Sequence, residues 1–383
     1  MRIRSFVHAR RLLPLTATVG AACLVLASGA WSVGASATAT QRWRVVERTN
    51  SALYTIVAPT ATSAWVLGTK AGPNNTDLPF GQHWNGRRWS AVTFPAAVKS
   101  GIGCAGASSA SYVWAFAGAT VFGNFADYSA ALRLSRGRAT VAKSFTHPGL
   151  VSGCSVVGRG NIWVYGVTHV APGLGTWRLN GATWSPAMTG NITPVTASTV
   201  SGTGPYAIAA GLDGLDNVVA HWNGHSWRPV SGLAATLPAE SSTVLWGVTA
   251  INAVAPGNVW VAGSISNGTT VSSFVRHLVG GRWHKVARTN PGYYLPTAVR
   301  DGHGGWWSTG IPFPQPQETS PYLLHKVGGS WHRVALPHVA GTKTQIMEVV
   351  HLPGTRSMLA IAAVYNGKPA LRSEVLAFGS LPS

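Results

Sequence analysis

The carboxylates are the residues of this chain that could perform acid–base chemistry, and they are few and widely separated. Asp and Glu together number only ten in 383 residues. Cleavage of a glycosidic bond uses two carboxyl groups about 5 to 10 Å apart, and no pair here recurs at a spacing typical of such a site. The ten carboxylates are Glu47, Asp77, Asp127, Asp213, Asp216, Glu240, Asp301, Glu318, Glu348 and Glu374.

No nucleophile or cofactor motif accompanies them. The chain contains no G-x-S-x-G turn, no H-E-x-x-H sequence and no phosphate-binding loop. We therefore predict no catalytic residue, no cofactor and no metal site. An acid and a base brought together from distant parts of the fold remain an alternative, because such a pair leaves no local motif.

Tryptophan is the other chemically telling residue, because an indole face stacks well on a sugar ring. Most of the 17 Trp residues, however, recur at fixed positions of a repeat. A ring at one register is typical of packing between repeats, where its truncation would cost about 3 to 5 kcal/mol. We expect these rings, including Trp84 and Trp222, to be structural. Trp246 and Trp307 fall outside the two main registers.

The repeat that must position these residues consists of a short apolar strand, a variable loop, a strand, a tight Gly turn and a further strand. Its clearest copies are 64–68 with 83–89, 162–166 with 178–184, and 259–263 with 276–283. A period of about 50 residues built from four short strands is the signature of a β-propeller. The second strand of each unit is marked by Trp65, Trp114, Trp163, Ala207, Trp260, Trp306 and Met358.

The fourth strand of each unit is marked by the residue that follows its turn, at Trp89, Thr140, Trp184, Trp227, Trp283 and Trp331. The missing seventh copy is matched by residues 42–46, which would complete the last blade and protect its sheet edges. We predict an all-β, seven-bladed β-propeller of four-stranded blades. The blades are expected at about 51–92, 101–143, 150–187, 193–230, 246–286, 295–334 and 345–379, the last with strand 42–46.

Four histidines precede the turn glycines of different blades by three residues, at His83, His221, His277 and His325. Equivalent positions on separate blades lie far from the propeller axis. They cannot converge within the bond lengths of about 2 Å that a metal requires. We expect each His to make a repeated structural hydrogen bond instead.

Two cysteines, Cys104 and Cys154, remain once a leader is removed. Cys104 lies ten residues before Trp114, and Cys154 lies nine before Trp163, so both fall on the corresponding strand of neighbouring repeats. In an oxidising compartment such a pair predicts a disulfide that joins blade 2 to blade 3. The chain-entropy model gives about 4 kcal/mol for a loop near 50 residues.

The leader is predicted from residues 1–37. Four arginines precede an apolar stretch at 12–30, and Ala35-Ser36-Ala37 provides a small-residue cleavage site. We expect a cleaved export signal, with no transmembrane segment afterwards, and a protein that is extracellular or associated with the cell envelope. An uncleaved membrane anchor, a twin-arginine signal and lipidation at Cys23 are alternatives.

The chain is strongly basic. It carries 29 Lys and Arg residues and a formal net charge of +19, and cleavage of the leader would leave about +15. A basic exported protein attracts polyanions such as teichoic acids, anionic polysaccharides, phospholipid headgroups or extracellular DNA. No Lys/Arg run of the kind that binds nucleic acid is present, so no specific nucleic-acid partner is predicted. The alternative is that the excess charge merely aids solubility.

Loops on one face of a propeller are the expected binding site, because variable loops on a rigid scaffold usually bind ligands. These loops join the second strand to the third and one blade to the next. They carry aromatic residues outside the repeat pattern, with polar residues nearby. The predicted binding residues are Asp77, Phe122, Asn124, Phe125, Asp127, Tyr128, Asp216, Trp246, Tyr293, Tyr294, Phe313 and Tyr365.

The alternation of V-W-x-x-G strands with H-W-N-G-x-x-W hairpins resembles a family of exported actinobacterial proteins, and more distantly kelch and galactose-oxidase propellers. The likeness covers nearly the whole chain after the leader. It implies the propeller fold and no particular activity, and no copper-site residue of galactose oxidase is matched. The segment from Asp301 to Gly310 is also similar to the propeller repeats of two-component sensors.

The resulting hypothesis is a secreted, monomeric, non-catalytic module that binds a glycan or another cell-envelope polymer through the variable loops. One alternative is a surface scaffold in which the same aromatic residues anchor a partner protein. Another is a polysaccharide-active lyase or hydrolase.

Overall fold

The computed structural model describes parts of the compact unit Gln41–Ser383. The described residues are 42–119, 128–146, 149–167, 174–187, 193–198, 204–210, 217–241, 244–268, 270–288, 293–294, 299–309, 311–312, 322–327, 330–337, 342–365 and 372–382. The predicted export signal, residues 1–37, lies outside them.

Seven four-stranded antiparallel sheets form a seven-bladed β-propeller, as predicted. Strand β1 (Trp43–Thr49) precedes blade 1. Blades 1 to 4 then follow in chain order. Blade 1 contains β2 (Ala52–Thr60), β3 (Ser63–Ala71), β4 (Asp77–Trp84) and β5 (Trp89–Ala91), and blade 2 contains β6 (Gly101–Ser109), β7 (Tyr112–Ala119), β8 (Ala130–Ser135) and β9 (Arg138–Ser144). Blade 3 contains β10 (Leu150–Gly158), β11 (Asn161–Val167), β12 (Thr176–Asn180) and β13 (Thr183–Pro186), and blade 4 contains β14 (Thr193–Ser198), β15 (Tyr206–Ala210), β16 (Asn217–Trp222) and β17 (Trp227–Pro229).

Blades 5 to 7 complete the ring, and an extra two-stranded ribbon accompanies blade 6. Blade 5 contains β18 (Leu245–Ala255), β19 (Asn258–Ser266), β20 (Val271–Val279) and β21 (Arg282–Arg288). Blade 6 contains β23 (Val299–Arg300), β24 (Trp306–Ser308), β26 (Tyr322–Val327) and β27 (Ser330–Ala335), and the ribbon pairs β22 (Tyr293–Tyr294) with β25 (Ile311–Pro312). Blade 7 contains β28 (Lys343–His351), β29 (Met358–Tyr365), β30 (Arg372–Phe378) and β1.

The described helices are two short 3-10 turns, Pro73–Asn75 and Ala234–Thr236. Neither is long and apolar enough to cross a membrane, and the rest of the described chain contains no helix that is.

The second strands are apolar over most of their length because blades pack face to face. Strand β7 is buried from Tyr112 to Gly118, and β3 is buried from Ala64 to Thr69. A strand covered on both faces gives a continuous apolar run instead of an alternation. These runs are what made the repeat visible in the sequence.

The hairpin turns explain two of the recurrent Asn-Gly pairs. The Oδ1 atom of Asn85 accepts hydrogen bonds from the backbone N–H groups of Arg87 and Arg88, at 3.1 and 3.0 Å. Asn223 makes the same bonds in blade 4. The glycine that follows each Asn has a positive φ, 91° at Gly86 and 103° at Gly224, a conformation that suits glycine.

In several blades a second-strand ring packs against a third-strand side chain across the sheet. His83 stacks on Trp65 with ring centroids 3.9 Å apart, and His277 stacks on Trp260 at the same distance. In blade 3 the guanidinium of Arg178 replaces the imidazole, 5.0 Å from the Trp163 ring.

Two of the predicted second-strand markers are wrong by one residue. His325 stacks on Trp307, with ring centroids 4.0 Å apart, and His221 stacks on Tyr206 at 4.3 Å. Trp307 and Tyr206 are therefore the structural equivalents of Trp65, in place of Trp306 and Ala207.

Three of the four repeat histidines make the expected structural contact. Their Nε2 atoms lie 3.1 Å from Ser63 Oγ for His83, 2.7 Å from Asn258 Oδ1 for His277, and 3.1 Å from Asp301 Oδ2 for His325. Burial lowers the pKa of His83, His221 and His277. In those three, the neutral imidazole is the form that packing favours.

Neighbouring blades contact through aromatic rings. Fourth-strand Trp184 packs edge-on against Trp114 of the preceding blade, with centroids 6.1 Å apart, and Trp227 packs in the same way against Trp163 at 5.5 Å. Trp43 of β1 lies 5.3 Å from Trp307 of blade 6. The β1 strand thus occupies the fourth-strand position of blade 7, paired antiparallel with β30.

The two cysteines are joined. Cys104 of β6 and Cys154 of β10 form a disulfide whose Cα atoms are 5.9 Å apart. It connects the first, innermost strands of blades 2 and 3, which confirms the predicted disulfide.

Most innermost strands carry a β-bulge at the same register. The pairing with the second strand shifts at Tyr54, Gly103, Ser152, Val195, Thr249 and Met347. A bulge re-aims the side chains that follow it. In these first strands, the bulges therefore determine which side chains point to each face of the sheet.

Candidate functional site

The connections between strands divide the propeller into two faces. The loops that join the second strand to the third, and those that join one blade to the next, lie on one face, here the loop face. The turns that join the first strand to the second and the third to the fourth lie on the opposite face, here the hairpin face. The predicted binding residues belong to the loop face.

Six of the twelve predicted binding residues, Phe122, Asn124, Phe125, Asp127, Asp216 and Phe313, lie outside the described residues. Tyr293 and Tyr294 form β22 and pair with Pro312 and Ile311. This pairing brings together two of the loops that were predicted to act jointly.

Three predicted residues contribute to the packing of the propeller. Asp77 is 6% exposed, and its Oδ1 accepts a hydrogen bond from Thr69 Oγ1 at 3.1 Å. Tyr128 is partly buried against the core of blades 1 and 2. Trp246 is also partly buried; it lies in β18 opposite Ile265 and packs against the core that contains Phe274. Asp77 is therefore removed from the surface, whereas Tyr128 and Trp246 keep part of their side chains exposed.

Tyr365 is the predicted aromatic residue with a described exposed side chain, at 39%. It ends β29 on the loop face, close to a residue that the sequence did not single out, Tyr54. The pKa of Tyr54 is raised to about 12, mainly by burial and to a smaller extent by the neighbouring Asp77 and Tyr365. Tyr54 therefore stays a neutral hydroxyl, able to donate or accept a hydrogen bond at the bulge of β2.

Glu348 is a second residue that the sequence did not reveal. It follows the bulge of β28, and its Oε2 accepts a hydrogen bond from the backbone N–H of Ile56 in blade 1 at 2.8 Å. Burial raises the pKa of this carboxyl to about 7, opposed by hydrogen bonds from Ile56 and from the Thr55 side chain. A carboxyl of this kind exchanges a proton near neutral pH.

Among the residues that the structure describes, no second carboxyl shifts the pKa of Glu348. The groups that shift it are a backbone N–H and a hydroxyl. Glycoside cleavage needs two carboxyl groups near one another. The described residues also contain no cluster of three or more His, Cys, Asp or Glu able to hold a metal ion.

The charged side chains are distributed unevenly between surface and interior. Lys70, Lys99, Lys343 and Arg372 are exposed on the loop face. The loop-face carboxylates Asp77 and Glu374 are buried, and Glu374 accepts a hydrogen bond from Arg48 Nε at 2.9 Å. Among the residues that the structure describes, Glu240 is the exposed carboxylate. In the described part of the chain, the exposed charged side chains are therefore almost all positive.

Comparison with known proteins places the chain by fold. No protein-family model matches it, and no curated protein is similar to it in sequence. It is similar to a structure of YCF48 bound to D1 peptide, with a TM-score of 0.54 and 11% identity over 88% of this chain and 97% of that one. YCF48 from Cyanidioschyzon merolae gives a TM-score of 0.53 and 13% identity over 88% and 98%.

An enzyme is also among the similar structures. The GH74 xyloglucanase from Xanthomonas campestris gives a TM-score of 0.55 and 14% identity, over 87% of this chain and 55% of that one. At these identities the likenesses show a shared β-propeller fold. The class of the protein is therefore that of the β-propellers.

Proposed function

We propose that this protein is an exported, non-catalytic β-propeller that binds an anionic polymer of the cell envelope across its loop face. The observation that carries the proposal is the separation of charge. Exposed cations lie on this face, whereas two of its described carboxylates, Asp77 and Glu374, are buried. Such a surface attracts a polyanion without needing a deep pocket.

The aromatic residues of the loop face supply the second contribution. Tyr365 offers an exposed ring and a hydroxyl beside Tyr54. Rings of this kind stack on sugars while their hydroxyl groups remain hydrogen-bonded. The ligand proposed is accordingly a polymer that carries both sugar rings and negative charge.

A protein partner is the second candidate. A structure of YCF48 bound to D1 peptide matches 88% of this chain and 97% of that chain. An exported scaffold that anchors a partner protein through Tyr365 and its neighbours would use the same surface.

The test is binding of the protein without residues 1–37 to a panel of purified polymers. The panel contains a teichoic acid, a polyuronate and a neutral glucan, each at low and at physiological salt. Binding of one anionic polymer that survives physiological salt supports the proposal. Binding of every polyanion equally, and at low salt alone, would show unspecific electrostatic attraction. A protein that co-purifies in stoichiometric amount from the same culture would support the second candidate.

A further inference from the structure

In the part of the chain that the structure describes, the hairpin face departs from the repeat where blades 6 and 7 meet. The turns between first and second strands are two residues long in blades 1, 2, 3 and 5, at 61–62, 110–111, 159–160 and 256–257. In blade 6 the turn covers 301–305, and in blade 7 it covers 352–357. Two lengthened turns therefore stand side by side where blades 6 and 7 meet.

The two turns are in contact. Gly302 has a φ of 78°, and a Cβ atom there would lie 2.7 Å from the imidazole of His351 in blade 7. His351 Nε2 in turn lies 2.7 Å from the carbonyl oxygen of Thr355. The position requires glycine, because any side chain would both strain the backbone and push the turns apart.

A cleft of about 460 Å³ opens beside these turns, within the volume range of ligand pockets. Its lining combines an apolar floor with a polar rim. The lining residues are Asp301, His303, Gly304, Gly305, Trp307, His325, Val327, Arg356 and Phe378.

The floor is rigid. Trp307 is 1% exposed, and His325 stacks on it with an angle of 3° between the rings. Phe378 lies 4.9 Å from Trp307 on its other flank. Val327 is 50% exposed at the edge. A small ring could therefore lie against an apolar surface that does not need to rearrange.

The carboxylate in the cleft is held by the turn. Asp301 Oδ1 accepts hydrogen bonds from the backbone N–H groups of His303 and Gly305, at 2.7 and 2.9 Å, and Oδ2 lies 3.1 Å from His325 Nε2. Burial alone would raise the pKa of Asp301, but these hydrogen bonds outweigh it and lower the pKa. The carboxylate therefore stays ionised and its oxygens are occupied by the turn, so the anionic group of a ligand has to bind at the rim and not at Asp301.

The rim carries two exposed polar side chains. The side chains of Arg356 and His303 are both exposed. Neither makes an ion pair or a side-chain hydrogen bond with any residue in the described part of the chain. A guanidinium presents parallel N–H donors that match a carboxylate or a phosphate.

We infer that this cleft is a second binding site, separate from the loop face, and that it takes a sugar-sized ligand with a carboxylate or phosphate group. Arg356 binds the anionic group, His303 assists it from the opposite turn, and the sugar ring lies against Val327 and Phe378. The ligand is either a free acidic sugar or the terminal unit of an acidic polymer. Both present the same chemistry.

The experiment titrates the protein without residues 1–37 with three sugars: glucuronic acid, glucose 6-phosphate and glucose. Binding is measured by calorimetry and by changes in the NMR signals of the imidazole groups. We expect the two acidic sugars to bind and to shift the signals of His303, and glucose to bind at least tenfold more weakly. Arg356→Gln should weaken the acidic sugars at least tenfold, and Arg356→Lys should restore part of the affinity. Arg282→Gln is the matched control, because it removes an exposed arginine from the hairpin face of blade 5.

A polyuronate with defined chain ends forms the second arm. If the free sugars do not bind the unmodified protein, but Arg356→Gln loses binding of the polymer, the ligand is the polymer terminus. The inference is overturned if Arg356→Gln leaves both the free sugars and the polymer unaffected, or if glucose binds as well as its acidic analogues. Lys343→Gln on the loop face should not change sugar binding, so failure here and failure of the proposed loop-face function are distinguishable.

Discussion

Glu348 of the last blade accepts a hydrogen bond from the backbone N–H of Ile56 in the first blade, at 2.8 Å. Two further hydrogen bonds cross this same seam. Leu53 N donates to Ser373 Oγ at 3.0 Å, and Gln82 Nε2 donates to Glu47 Oε1 at 3.0 Å. The blades at the two ends of the propeller are thus held by polar groups in addition to apolar packing. The carboxyl of Glu348 makes this seam sensitive to pH.

Glu348→Gln should remove a pH dependence of stability. The folded pKa of about 7 exceeds the ordinary value of 4.5, so the folded protein binds more protons than the unfolded chain between these values. The free energy of unfolding should then fall by up to about 3 kcal/mol as pH rises from about 4.5 to 7. Gln keeps the hydrogen bond from Ile56 and cannot ionise.

The measurement is urea unfolding of both proteins from pH 4 to pH 8. Their difference isolates Glu348, because the histidines whose pKa is lowered titrate equally in both. The variant should be the more stable protein above pH 7, with the advantage disappearing near pH 4.5. Parallel curves at every pH would show that this carboxyl has an ordinary pKa.

The disulfide should contribute strongly to stability. It closes a loop with a sequence separation of 50, for which the chain-entropy model gives about 4 kcal/mol. Cys104→Ser combined with Cys154→Ser should lower the free energy of unfolding by about 2 to 4 kcal/mol. Reduction of the unmodified protein should have the same effect, and reductant should not affect the double variant. Two free thiols in the intact mass of the exported protein would contradict the bridge.

Trp43 should be a major contributor to the stability of the last blade. It is buried and packs edge-on against Trp307 at 5.3 Å and against Phe378 at 5.5 Å. Trp43→Ala should lower the free energy of unfolding by about 3 to 5 kcal/mol, because a large buried ring is lost. Arg42→Ala, at the exposed neighbouring position, is the control and should change it by less than about 0.5 kcal/mol. Similar values for the two variants would mean that β1 is peripheral.

Sequence periodicity predicted the blades because the same packing contacts recur in every unit. It misplaced the marker in blade 6, where Trp306 and Trp307 are adjacent and both aromatic. The separation of 18 residues from Trp65 to His83 is repeated from Trp307 to His325, so a rule based on the stacked pair would have selected Trp307.

The site was harder to predict because its residues act through contacts between blades. Tyr54 and Glu348 sit at or beside bulges, and a bulge leaves no pattern in the residues around it. Asp77 and Trp246 were assigned to loops because they flank variable segments. In the structure they lie in strands, where Asp77 is buried and Trp246 is half-buried. Burial of this kind depends on where neighbouring strands start, which local sequence does not specify.

The loop-face cations should govern polymer binding if the proposed function is right. Replacing Lys70, Lys343 and Arg372 together by Gln should weaken binding of an anionic polymer about tenfold at low salt, because each exposed charge contributes roughly 0.5 kcal/mol. The control replaces Arg87, Arg136 and Arg282 by Gln, which removes the same charge from the hairpin face. Equal losses in the two variants would show that net charge alone attracts the polymer. A loss confined to the loop-face variant would show that this face makes the contact, and binding of the control should then keep the salt dependence of the unmodified protein.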